Sequence, residues 1–391
     1  MLLSIPLAWL QLIHQRVRFV VTLVGIAFVV ALLFMQLGFQ DALFDSAVRV
    51  HKSLRGDLFL VSAQYKSLTA QQFFPRSRLY QTLASDQVST VSPLMMQFAK
   101  LKNIENGQKF SVFTFGIDVS EPPFRAPEIL NNIDALKFSN RALFDRYSRA
   151  EFGPIVERFE QTDTVNVEIS GFNDITEAHR YQIAGLFGLG TSFGIDGSMI
   201  VNASAFLNTF SGTDPEEISI GIINLEPGAD VERTQAVLNN SLPDDIQILT
   251  RDAFIDLERS YWNLRTPIGF TFRLMVAIGF IVGFGVAYQV LYTNISSHLL
   301  EYATLKAIGF QNRYLLSAVF QQAIILAILG FIPGLMLAVG AYAQARTATN
   351  LPISMTTDKV FTVLVSVIAM CSISGAFAIQ KLRSADPADI F

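Results

Sequence analysis

Four stretches of this sequence run without a charged residue for long enough to cross a bilayer, and their spacing constrains the fold more than any other feature. They are Phe19 to Gln40, Leu274 to Thr293, Tyr314 to about Ala341, and Val360 to Ile379. A hydrocarbon core of ~30 Å needs about 20 helical residues, and a charge at its centre costs about 2.5 to 3.5 kcal/mol on insertion scales. The pattern predicts one span, a large domain, then three more spans. Charged residues make up only 16% of the chain and hydrophobic ones 51%, against about 25% charged in soluble domains, which agrees with a membrane protein.

The remaining charge is unevenly placed. Asp41 to Arg265 holds 20 basic and 29 acidic residues, a net of -9, while the rest holds 9 and 4, a net of +5. The single cysteine, Cys371, lies in the fourth apolar run, so neither a disulfide framework nor a thiolate metal site is expected. The large domain must then be held by its own packed core, for which its length is ample.

Orientation follows from the short flanks. Arg16, Arg18, Lys306, Arg313, Lys381 and Arg383 lie on one side, and only Arg346 and Lys359 on the other. The positive-inside rule therefore predicts cytoplasmic termini, a cytoplasmic loop from Asn294 to Arg313, and a large domain outside. No small-x-small cleavage pattern follows the first run before Gln40, so that run is expected to be an uncleaved anchor.

The expected fold class is a membrane α-helical protein, four transmembrane helices in a 1 + 3 arrangement, with a large α+β extracytoplasmic domain between the first and second. In order, 1–18 is a cytoplasmic interfacial helix carrying Ile5, Leu7, Trp9, Leu12 and Ile13, and 19–40 the first span. Residues 41–265 form the outer domain with a helical stalk at 41–54 and 251–266; spans follow at 267–293, 314–343 and 360–380. Between them lie the 294–313 loop and an outer loop, 344–359, and the chain ends in a cytoplasmic tail, 381–391.

Within the domain, Asp57 to Ser62 reads as a strand, Val88 to Lys102 and Phe110 to Ile117 as a hairpin, and Val165 to Ser170 and Ser219 to Leu225 as strands. Asp230 caps a predicted helix to about Leu242, and Ile246 to Leu249 returns as a strand. Tyr261 and Trp262 are expected near the outer interface, and Arg273 at the edge of the second span, snorkelling to water or buried for function.

The Asn294 to Arg313 loop has Leu300, Ala303 or Thr304, Ala307 and Ile308 at helical spacing, with His298, Glu301 and Lys306 turned elsewhere and Gly309 as a stop. Tied to a span at each end, such a helix would carry an applied force into both. The spacing fits a coupling helix and equally an interfacial helix resting on headgroups. Gly279, Gly283 and Gly285 in the second span allow close helix packing or a dimer contact, or simply reflect how common glycine is in membrane helices. Gly330, Pro333 and Gly334 predict a kink in the third span.

No catalytic constellation emerges. His14, His51, His179 and His298 show no metal-ligand spacing, so no metal is expected. The glycine-rich stretch Gly185 to Gly197 invites a phosphate reading, but Phe193 breaks the dinucleotide pattern and no Gly-Lys pair makes a phosphate loop. It is expected to be a flexible loop. The span centres hold no Asp, Glu, Lys or His, which argues against a proton relay or secondary transporter.

IPLAWLQL at Ile5 to Leu12, LVGIAF at Leu23 to Phe28, FMQLGFQDALFDSAV at Phe34 to Val48 and EYATLKAIGF at Glu301 to Phe310, with this topology, resemble the cyanobacterial DevC permeases. Those belong to the MacB class of ATP-binding-cassette (ABC) exporters, beside the lipoprotein-releasing (LolCE) and FtsX permeases. The resemblance implies a homodimer in the bacterial inner membrane, without its own ATPase, whose coupling residues are Glu301, Lys306, Ala307, Ile308 and Gly309. It also implies a DevA-like ATPase in trans holding ATP and Mg, a DevB-like periplasmic membrane fusion protein, and a TolC-like outer-membrane channel. No cofactor is expected on the chain itself, and no partner beyond these and membrane lipid; nucleic acid is not among them. The implied task is expulsion of a lipid-like or amphipathic cargo, glycolipid being one candidate. The alternative is FtsX-like signalling, in which the same stroke activates a periplasmic partner and nothing is exported.

Overall fold

The computed structural model describes residues 16–70, 72–171, 177–192, 194–297, 304, 308, 312–349, 351 and 353–383. The chain divides into two compact units, one formed by Met1–Ala42 with Pro267–Phe391 and the other by Leu43–Thr266. Among the described residues four helices are long and apolar enough to cross a membrane, with a large α+β domain between the first and second.

The helical unit contains α1 (Arg16–Ala47), α9 (Pro267–Ser297), α10 (Asn312–Thr349) and α11 (Thr357–Arg383), α1 running on past the unit's edge. Their surfaces are apolar all round, as a helix bathed in lipid requires. Val20, Val24 and Phe28 on α1 and Ile332, Met336 and Val339 on α10 point outward, while Ile26, Val30, Leu33, Leu326, Val363 and Val367 fill the interior. At one end of the bundle polar groups close the packing. The Tyr342 hydroxyl donates to the Phe34 carbonyl (2.5 Å), and the Lys359 ammonium meets Asp41 (3.1 Å) and the Ser354 carbonyl (3.0 Å).

The intervening domain begins with α2 (Arg49–Ser53) and β1 (Leu58–Ser62), followed by β2 (Phe74–Pro75), α3 (Arg76–Gln81), β3 (Val88–Lys102) and β4 (Lys109–Ile117). Then come α4 (Pro127–Asn131), β5 (Arg141–Asp145), α5 (Ile155–Thr162), β6 (Val165–Gly171), β7 (Ala178–Phe187), β8 (Ser198–Asn202), α6 (Ala203–Thr209) and β9 (Glu217–Ile218). It closes with β10 (Ile220–Leu225), α7 (Val231–Ser241), β11 (Ile246–Thr250) and α8 (Arg251–Ser260). The strands expected from sequence are present within a residue or two, and Asp230 caps α7 through the Arg233 amide (2.9 Å).

Two sheets share one strand. β11, β1, β10 and the first half of β3 lie side by side, all antiparallel, with α3 linking β1 to β3 and α7 linking β10 to β11, which is a split β-α-β arrangement. The second half of β3 pairs with β4 and also with β6, so the order β3, β4, β8, β5, β7, β6 returns to β3 and closes a six-stranded barrel. The strands from β4 to β8 thus complete a barrel inserted into the smaller sheet, while β9 pairs separately with β2.

β1 reads LFLVS because both of its faces are covered. Leu58 and Leu60 pack with Leu79, Leu238 and Ile248, and Phe59 and Val61 with Val50, Leu54 and Phe254. The open edge, β11, is blunted. The Asn239 side chain on α7 accepts from the Ile248 amide (3.1 Å), and Gln235 donates to its carbonyl (2.8 Å), occupying the groups that another strand would seek.

Candidate functional site

Of the predicted coupling residues, Glu301, Lys306, Ala307 and Gly309 lie outside the described residues, as does His298. Ile308 is described. Its amide donates to the Thr304 carbonyl (3.0 Å), and its apolar side chain is 70% exposed. Exposure of this kind suits a partner or a lipid surface equally.

The glycines of the second span sort by what a side chain would meet. A Cβ at Gly279 would strike Gln36 on α1, and one at Gly283 would strike Met370 on α11 and stand 2.8 Å from Val29 on α1. Both are contacts within this chain. At Gly285 a Cβ would meet nothing within 4 Å. In the third span α10 is continuous through Pro333. A Cβ at Gly330 would come 2.6 Å from the Ile26 side chain, and one at Gly334 2.7 Å from the Ala27 carbonyl, so this pair, one turn apart, lets α10 pack closely on α1, at Gly334 against its backbone.

In the intervening domain the functional geometry gathers where the chain enters and leaves. The entering helix is α2 and the leaving helix is α8, whose first turn is capped by Thr250 and whose Arg251 donates to the Leu54 carbonyl (3.0 Å) and to that of Gly56. On the exposed side Asp45 takes both Lys52 (3.3 Å) and Arg259 (2.6 Å). On the buried side stands Glu258, 1% exposed. Its Oε2 accepts from the Leu68 amide (2.9 Å) and the Tyr65 hydroxyl (3.3 Å) and faces His51 Nε2 at 3.5 Å, while its Oε1 accepts from Trp262 Nε1 (2.8 Å).

Charge is costly there. Burial pushes the Glu258 carboxyl up to about 7, against the hydrogen bonds from Trp262, Leu68 and Tyr65 that favour its ionised form. Burial alone holds the His51 imidazole down to about 3, so it is neutral at physiological pH, edge-on to Phe254 at 4.4 Å and without a partner at Nδ1. In the stalk expected at 251–266, α8 passes after Ser260 into a π-turn, Tyr261–Arg265, and Thr266 is extended. Thr266 precedes Pro267, and a residue before proline is driven out of the helical region. Trp262, a half-buried residue of this turn, donates its indole N–H to Glu258.

The glycine-rich stretch, expected to be a flexible loop, is tied to its surroundings by hydrogen bonds at its described residues. It starts inside β7, and Asp145, fully buried at the end of β5, accepts from the Gly190 amide (2.7 Å), Ser198 Oγ (3.1 Å) and the Tyr147 amide (3.1 Å). Arg49 on α2 reaches the Leu189 and Thr191 carbonyls from the other side (3.4 and 3.5 Å). Gly190 takes φ 81°, a conformation that other residues resist. Sequence reasoning missed Arg49, Asp145 and Glu258, since each is one charged residue among many until the fold buries it. Among the described residues no group of three or more His, Cys, Asp or Glu could hold a metal.

Residues 273–387 match the FtsX-like permease C-terminal family. This FtsX-like segment takes in α9 from Arg273, the loop with the predicted coupling residues, α10 and α11. No curated protein sequence matches the chain. Solved structures similar to it include the periplasmic region of MacB from Actinobacillus actinomycetemcomitans, at 11% identity over 52% of this chain and 92% of that one, TM-score 0.35. Another is the extracellular domain of the ABC-type transporter YknZ from Gram-positive bacteria, at 15% identity over 50% and 99%, TM-score 0.30.

Proposed function

We propose that this chain is the permease subunit of an ABC exporter that works by transmitting force. A separate ATPase docks on the Asn294–Arg313 loop, its closure shifts α9 and α10, and the stroke reaches the intervening domain outside the cytoplasm. The observation that carries this reading is the FtsX-like match over 273–387, which brackets the predicted coupling loop between two spans. Three further features support it: the 1 + 3 layout, span centres without ionisable residues, and a domain whose entering and leaving helices are tied together at their feet. Protein partners on the far side, a membrane fusion protein and a TolC-like channel, would receive a lipid-like or amphipathic cargo, and two copies of the chain would form the working unit.

The test is to replace Glu301 or Gly309 and measure ATP turnover by the chain purified with its ATPase. Lower turnover, or loss of its response to the fusion protein, is the expected result. Unchanged turnover and an unchanged response remove the coupling role. Purification of the native complex decides the task, since a fusion protein and outer channel mark an exporter and a periplasmic hydrolase marks a signalling permease.

A further inference from the structure

We propose that Glu258 is a proton-linked latch: one buried carboxyl fastens the outgoing π-turn to the incoming helix α2, and the joint shuts when the carboxyl is neutral and yields when it ionises. The geometry is that of a peg with attachments on three sides. Trp262 holds it from the π-turn and Tyr65 and the Leu68 amide from the loop after β1, within 2.8 to 3.3 Å, and the Tyr65 hydroxyl in turn meets His51 Nε2 on α2 at 3.3 Å, with the carboxylate 3.5 Å from that nitrogen. The π-turn is the last structure before the unit boundary at Thr266, and a helix widened by one residue is a recurrent mark of functional movement.

The groups facing Glu258 leave its charge unmatched. His51 is held neutral by burial, Tyr65 is pushed well above its ordinary range by burial and by Glu258 itself, and Trp262 does not titrate. Arg259 and Lys52, the cations nearest along α8 and α2, are turned to Asp45 on the exposed side. An ionised Glu258 therefore relies on hydrogen bonds alone in a dry site, and opening the turn would give it water.

The sign follows by linkage. The closed joint keeps the proton up to about pH 7, while a carboxyl in water, with its ordinary value of 4.5, has already released it. Between those two values protonation favours closure, about tenfold per pH unit and about 300-fold across the interval. Acid locks the turn and neutral to alkaline conditions free it. Its purpose rests on the force-transmitting reading, but its existence does not.

The chain contains two tryptophans, so Trp9→Phe leaves Trp262 as the only one. That full-length variant in lipid nanodiscs is titrated from acid to mildly alkaline pH, following indole fluorescence and amide exchange of the segment 259–266. One fluorescence transition near neutrality is expected, with exchange, corrected for intrinsic chemistry, rising by up to about 300-fold between about pH 4.5 and 7 and levelling above it. Glu258→Gln, which has no proton to lose, should abolish the transition and keep exchange slow throughout. Trp262→Phe, read by exchange alone, should speed exchange of the turn at every pH by removing one attachment. A transition that survives Glu258→Gln, or exchange in the parent protein that ignores pH once corrected for intrinsic chemistry, overturns the latch. If the latch passes and ATP turnover by the complex ignores both variants, the latch stands and its part in the force-transmitting stroke falls.

Discussion

Replacing Asp145 by alanine is the sharpest way to ask whether the glycine-rich stretch is a built part of the domain. The carboxylate accepts three donors, and alanine would abandon all of them. Ser198 is fully buried and Gly190 partly so, whereas Tyr147 sits on an exposed turn where water can replace the lost partner. Two orphaned donors at about 1 to 3 kcal/mol each, less the relief of no longer burying a carboxyl that burial itself pushes upward, give about 2 to 4 kcal/mol. Asparagine keeps one acceptor and should cost about 1 kcal/mol. Amide exchange of the 188–197 segment in the full-length protein reads this locally. At 1.4 kcal/mol per decade, alanine should speed exchange by about 30- to 1000-fold and asparagine by less than about tenfold. Exchange in the alanine variant that stays close to that of the parent would show the loop to be free already, and the pinning argument would be wrong.

In the bundle, Gly283→Leu should cost about 1 to 3 kcal/mol because Met370 and Val29 occupy the space, while Gly285→Leu should be neutral; thermal unfolding in detergent compares them. Asn239→Val should strip the Ile248 amide of its partner at about 1 to 2 kcal/mol and leave the β11 edge open, visible as concentration-dependent light scattering. His51 and Glu258 titrate with opposite signs. The His51 value falls on folding from 6.5 to about 3, so its contribution to stability is lost as pH drops below 6.5; the Glu258 value rises from 4.5 to about 7, so its contribution is lost as pH rises towards 7. The two nearly cancel between pH 4.5 and 6.5, and His51→Asn should expose a slope of about 1.4 kcal/mol per pH unit, stability falling as pH rises, read from exchange of the most protected barrel amides. A His51→Asn slope equal to that of the parent protein would refute it.

The sequence by itself determined the membrane layout, because the cost of burying charge in lipid acts on each residue independently and needs no knowledge of neighbours. It also marked most strands of the intervening domain, where apolar runs bounded by turns are a local signal, as in the LFLVS of β1 and the hairpin around Asn106 and Gly107. Only the tertiary structure decided that β3 serves both a split β-α-β sheet and a closed barrel, since the pairing of Ala99 with Gly171 joins residues far apart in the chain. It alone selected Glu258, Asp145 and Arg49 from among many charged residues. Their importance comes from the water that the fold removes around them and the donors and acceptors it supplies in exchange, and neither is written in the order of residues along the chain.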